Sequence, residues 1–154
     1  MRTLAACLAL ALLAGPAMGM PMGGEPETAH LKDAVKAIDR KDYAEAFKLL
    51  TAVVQDDPRD ADAFNYLGFS VRMQGKVGDS IRYYQRALAI VPNYRGANEY
   101  LGEAYLTLGD LTKAEVQLAA LDRICAKVCK EYKALAAAIT TYKKDPKATR
   151  NKSS

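Results

Sequence analysis

At 154 residues the chain fits one domain, and with 50% of its residues apolar and 26% charged its composition is globular rather than disordered. The formal net charge is +4, but the excess sits at the ends, in Arg2 and then in Lys143, Lys144, Lys147, Arg150 and Lys152 against Asp145 alone. The near-neutral middle argues against a nucleic-acid partner, because such a protein carries its basic residues on a folded face.

Taken in chain order, Arg2 precedes an apolar run over 4–14 that Gly15 and Pro16 interrupt. Ala17 and Gly19 follow at the small-residue spacing that a signal peptidase reads, so residues 1–19 are expected to be a signal peptide cut after Gly19. The run is too short to cross a bilayer, which takes roughly 20 apolar residues; an uncleaved anchor is the competing reading. Leu4-Ala5-Ala6-Cys7 looks like a lipoprotein box, but its apolar segment follows the Cys instead of preceding it. No twin-Arg pair is present, so export is expected by the general (Sec-type) route for unfolded chains. The short Ala/Leu-rich signal is of bacterial type. The mature chain is expected to be periplasmic or secreted, with no stable membrane insertion after cleavage. Loss of Cys7 would leave Cys125 and Cys129, an even number suited to an oxidising compartment.

Residues 20–27 read as a Met/Pro/Gly/Glu linker. Beyond it the sequence repeats with one offset. Leu67-Gly68 recurs as Leu101-Gly102, Gly75 as Gly109 and Pro58 as Pro92; Ala46, Ser80 and Ala114 are equally spaced, as are Leu50, Tyr84 and Leu118, and Tyr43, Val77 and Leu111. Each interval is 34 residues. Six series in phase mark a repeat of two helices joined by a tight turn. Gly68 and Gly102 fall mid-helix, where Gly costs about 1 kcal/mol relative to Ala, a cost that makes sense if a neighbouring helix approaches the backbone closely. Gly75 and Gly109 stand where a left-handed residue ends the first helix. Ala46, Ser80 and Ala114 are small where the second helix crosses the first, and Pro58 and Pro92 stop the second helix.

The unit over 61–94 carries Phe64-x-x-Leu67-Gly68-x-x-Val71, then Ser80, Tyr84, Ala87 and Pro92. This pattern resembles the tetratricopeptide repeat (TPR), with Phe64 and Val71 in place of the usual Trp and Tyr. The next unit, 95–128, keeps Leu101, Gly102, Tyr105 and Ala114 but lacks the closing Pro; the first, about 27–60, has a clear second helix and a degenerate first one carrying Val35 and Ile38. A last helix over 130–143 places Tyr132, Leu135, Ile139 and Tyr142 on one face. The resemblance implies an all-α TPR helical-hairpin array, about three repeats plus a C-terminal capping helix in a right-handed superhelical stack, spanning 28–143. Residues 144–154 are expected to be a disordered basic tail, solvated or touching anionic lipid or an acidic partner. Asn65-Tyr66-Leu67-Gly68-Phe69-Ser70 and Glu99-Tyr100-Leu101-Gly102-Glu103-Ala104-Tyr105, with the late cysteine pair, are similar to small exported bacterial TPR proteins, a group without an agreed activity.

Chemistry is sparse. The single histidine, His30, lies on the degenerate first helix, and there is no His-Glu-x-x-His pair, phosphate-cradling loop or Cys-x-x-Cys-His haem site. The carboxylates have no matching base. No enzyme, cofactor or metal site is expected. Cys125 and Cys129 flank Ala126-Lys127-Val128. In an unbroken helix their Cβ atoms would lie about 5–6 Å apart, too far for a disulfide at about 3.8 Å; a turn between helices would bring them together. A structural disulfide fixing the start of the last helix, worth about 2 kcal/mol for so short a loop, competes with a thiol–disulfide redox pair activated by Lys127 and Lys130. Two thiolates alone make a poor zinc site.

TPR arrays bind peptides or partner helices on the inner face of their first helices. Here the resemblance implies a groove of Asp62, Asn65, Phe69 and Arg72, then Glu99, Glu103 and Leu106, with Val35 and Asp39 extending it. Phe69 among polar groups would take an apolar side chain, and Asn65 would hold a backbone amide. Glu99 and Glu103 would repel a C-terminal carboxylate, so a neutral or basic segment is expected; each Glu could instead pair with Arg72 or Arg95. The expected role is a protein–protein interaction module, an adaptor or assembly factor for another protein or peptide of the cell envelope. Redox chemistry at the cysteines and a self-associating structural role are the alternatives.

Overall fold

The computed structural model describes the backbone of residues 26–148 and side chains from 29 onward. The expected signal peptide, most of the linker and residues 149–154 lie outside the described residues. Within them are seven α-helices and no strand: α1 Pro26–Asp39, α2 Tyr43–Asp56, α3 Ala61–Met73, α4 Val77–Ile90, α5 Arg95–Leu108, α6 Leu111–Cys125 and α7 Lys130–Lys144. Helix α1 thus starts inside the expected linker. At the other end, 145–148 form a turn in which Lys147 N donates to Asp145 Oδ1 at 2.9 Å, so the last helix runs into an ordered bend rather than straight into a disordered tail.

The 34-residue offset sets the helix boundaries. Tyr43, Val77 and Leu111 are the first residues of the second helices α2, α4 and α6. Asp42 and Asp110 cap α2 and α6 by accepting from Glu45 N and Lys113 N, and Asp60 caps α3 through Ala63 N; each relieves an unpaired helix-start donor. Gly75 and Gly109 end α3 and α5 with φ of 80° and 88°. The same step of the first repeat is Lys41, which takes φ of 61° without being Gly. A side chain pays about 1 kcal/mol or more in that region, and this substitution is one reason the first repeat looks degenerate. Pro58 and Pro92 sit just past α2 and α4, where the chain has already left the helix.

Each helix packs on the next in sequence, and α1 on α3, α3 on α5 and α5 on α7, so the first helices stand side by side. Small residues permit the crossings. Ala46, Ser80 and Ala114 are wholly buried, and the Ser80 hydroxyl donates to Val77 O at 2.7 Å, so it adds no unpaired donor. Gly68 lies under the buried Tyr84 ring, and a Cβ there would come within 2.6 Å of Tyr84 Cε1. Gly102 is filled differently. Its Cβ would meet Leu135 Cδ2 at 2.5 Å, so the close approach comes from α7 and not from Leu118 on its own hairpin partner. Leu135 is fully buried, which stabilises by roughly 1.5–3 kcal/mol. Leu135 stands one 34-residue step beyond Leu101. The capping helix therefore occupies the place of a fourth first helix and continues the same face.

Candidate partner-binding groove

The first-helix face carries an aromatic line that the repeat builds from two separate helices. Tyr66 on α3 and Tyr100 on α5 occupy the same repeat position, 34 residues apart. Phe69 packs edge-on against Tyr43 at 6.1 Å and tilted against Tyr100 at 5.4 Å between ring centroids, so it is part of a stack rather than a free-standing contact. The Arg72 guanidinium lies over Phe69 and Tyr100, 5.7 and 5.3 Å from their centroids. Its Nη1 donates to Glu103 Oε2 at 2.9 Å, tying α3 to α5. Arg72 Nε and the Tyr84 hydroxyl are buried without a hydrogen-bond partner. Of the two pairings the sequence offered for Glu103, the one with Arg72 is made.

Leu106 is 1% exposed and belongs to the core between α5 and α7. It forms the base of a recess of about 210 Å³ lined by Arg72, Glu103 and the small residues Ala134, Ala137 and Ala138. Leu106 was expected on the open groove; the capping helix α7 lies beside α5 and buries it, so a partner reaches it only through that recess. Val35 lines a shallow hollow with Asp62 and Tyr66, which carries the face onto α1; Asp39 is exposed.

A recess of about 530 Å³ opens between α3, α5 and α7. Asn65, Glu99, Tyr66, Tyr94, Tyr100 and Glu131 contribute to its walls, with Arg95 and Lys130. Asp62 accepts a short hydrogen bond from the Tyr94 hydroxyl, which joins the start of α3 to the start of α5. Burial pushes the Tyr94 hydroxyl up, and the bond to Asp62 raises it further. Glu99 is pushed up to about 7, first by burial and then by Glu103 and Glu131, while Lys130 and Arg72 pull the other way. Glu131 is 8% exposed, and its Oε2 is buried with no hydrogen-bond partner. Arg95 Nε approaches that oxygen only to 4.0 Å. Asn65 likewise keeps a buried, unpartnered Oδ1.

Helix α6 ends in a left-handed turn at Ala126 and Lys127, with φ of 45° and 68°. The turn brings Cys125 and Cys129 to a Cα–Cα distance of 5.8 Å with their sulfurs in bonding contact. Cys129 is 7% exposed. No group of three or more His, Cys, Asp or Glu side chains suited to a metal ion occurs among the described residues.

Two family models, each for the tetratricopeptide repeat, match residues 31–95 and 72–139. The chain belongs to the tetratricopeptide-repeat family. A 65-residue segment is 34% identical to protein FlbA of Caulobacter vibrioides, covering 42% of this chain but only 11% of FlbA. Among solved structures, the first TPR of Spaghetti (RPAP3) bound to the HSP90 peptide SRMEEVD superposes with a TM-score of 0.70 at 16% identity, covering 77% of this chain and 94% of that one. The Yersinia enterocolitica type III secretion chaperone SycD, in complex with a peptide of the translocator YopD, gives 0.67 at 20% identity over 80% and 94%. At these identities the likeness concerns the fold. As a TPR array the chain is a protein-interaction module.

The sequence reading did not place Tyr66, Tyr94, Tyr100, Lys130 or Glu131 in the groove. Two signals were available. Tyr66 and Tyr100 share a repeat position, and one more step of 34 from the buried Ala63 and Ala97 lands on Glu131, a carboxylate where the array otherwise buries a methyl group.

Proposed function

We propose that this chain is an exported interaction module, acting in the periplasm as an adaptor or assembly factor that holds a neutral or basic peptide segment or helix of an envelope protein. The carrying observation is the first-helix face. It combines an aromatic line with a roomy recess whose buried polar atoms are unmatched acceptors. The RPAP3 domain was solved with an acidic peptide, SRMEEVD; the acidic wall formed here by Glu99 and Glu131 favours the opposite charge. The signal-like start supplies the export reading, and a Cys125–Cys129 disulfide holding the α6–α7 turn agrees with it.

Site-specific photocrosslinking in the expressing cell tests this reading. A photoreactive residue replaces Tyr66 or Glu99 on the first-helix face, or the exposed Val116 on α6. Discrete adducts from the first two positions and none from Val116 are expected, in the periplasmic fraction. Equal labelling from all three positions, or adducts confined to Val116, would remove the groove from the account.

A further inference from the structure

The recess between α3, α5 and α7 has a polarity that packing does not require. Asn65 is 4% exposed and Glu131 8%, both line the recess, and each keeps a buried oxygen without a partner. An unpaired buried acceptor costs roughly 1–3 kcal/mol, and more when charged. Glu131 also departs from the repeat, since the buried Ala63 and Ala97 fill the equivalent sites. Its nearest cation, Arg95, is too distant for a hydrogen bond at 4.0 Å, and its side chain is 53% exposed. Tyr94, beside Asn65 in the recess wall, donates to Asp62, and Asn65 Oδ1 has no hydrogen-bond partner. The rings of Tyr66 and Tyr100 stand beside these acceptors, and aromatic faces attract cations.

We infer that this recess receives a lysine side chain of the segment bound in the groove, its ammonium pairing with the carboxylates of Glu99 and Glu131 that line it. The inference rests on the groove reading and adds to it the residue type that is recognised. An ammonium offers three donors and no acceptor, the complement of a wall of acceptors. A carboxylate would face the like charges of Glu99 and Glu131, and an apolar side chain would offer them no donor. The cations at the recess, Arg95 and Lys130, are exposed at its rim. Glu99 makes the site responsive to pH. Glu103 on its own helix and Glu131 on α7 face it, against Arg72 from α3 and Lys130 from α7, and with burial they place its titration at about 7. A bound ammonium favours the charged carboxylate, so protons compete with the ligand as the pH falls through that value.

The test is an NMR titration of the mature protein with three capped pentapeptides, Ala-Ala-X-Ala-Ala, where X is lysine, norleucine or glutamate. The lysine peptide is expected to shift the Asn65 side-chain amide and the Tyr66 and Tyr100 rings, with an affinity roughly tenfold above that of norleucine. Glu131→Gln and Glu99→Gln should each remove most of that preference, and acidification to about pH 5.5 should weaken lysine binding in the wild type but not in Glu99→Gln. If Glu131→Gln does not give a folded spectrum, the half-buried Glu99→Gln carries the comparison alone. Equal binding of lysine and norleucine, or a lysine preference that survives both substitutions, overturns the lysine pocket and leaves the groove standing. Shifts from none of the three peptides on α3, α5 or α7 would overturn both.

Discussion

Glu103 and Glu99 lie one turn apart on α5, yet they stand in opposite electrostatic settings. Glu103 is clamped by Arg72 at 2.9 Å, and that guanidinium also covers two aromatic rings. Glu99 has no such partner; burial and two neighbouring carboxylates push its pKa up to about 7. The first stretch pins α3 to α5 and reads as structure. The second keeps acceptors without hydrogen-bond partners, Glu131 having only the first turn of α7 and Arg95 at 4.0 Å to favour its charge, and it reads as a site awaiting a donor. A single helix face can thus hold both a stabilising contact and a recognition element, distinguished by whether their polar atoms are satisfied.

The largest expected effect lies on the structural side. Arg72→Ala removes the ion pair and the ring contacts and strands Glu103, so urea unfolding should show a loss of about 2 kcal/mol; a neutral result would mean that the two stretches do not differ as described. A smaller effect separates them by pH. The folded-state pKa of Glu99 lies above its unfolded value of about 4.3, so between these values the native state binds more protons. Its contribution to stability is full below about pH 4 and lost as the pH rises through about 7. Glu99→Gln should flatten that decline in a pH series of thermal melts, whereas Glu103→Gln, which removes one of the two neighbouring carboxylates, should keep a decline but move it to lower pH. The smallest effect calibrates the scale away from the face. Lys41→Gly relieves a left-handed residue where the other repeats have Gly, and a gain of about 0.5–1 kcal/mol is expected by urea unfolding. A loss there would show that the turn relies on the Lys41 side chain.

The structural half of this comparison was legible in the sequence and the recognition half only in part. Tyr43, Val77 and Leu111 begin their helices, and Gly75 and Gly109 adopt the positive φ that their position predicted, because turn and crossing chemistry is local and recurs every 34 residues. The groove residues Asn65, Phe69, Arg72, Glu99 and Glu103 fall on one face for the same reason. Their partners were harder to read. That Arg72 chooses Glu103, or that Phe69 is enclosed by Tyr43 and Tyr100, depends on distances between hairpins. The sequence shows α7 as a cap through its single apolar face of Tyr132, Leu135, Ile139 and Tyr142, and Ala136 stands where Gly68 and Gly102 stand. Placing it as a continuation of the face is what buries Leu106 and brings Glu131 into the recess.

The most direct test of whether the unpaired acceptors serve a ligand rather than the fold is urea unfolding of wild type and Glu131→Gln at neutral pH. If Glu131 is held for a partner, neutralising it removes a buried, unpartnered charge, and the midpoint should stay level or rise by up to about 1 kcal/mol in stability with an unchanged slope. A clear loss of stability would mean that Glu131 already does structural work through Arg95, and the contrast between the two halves of the face would fail.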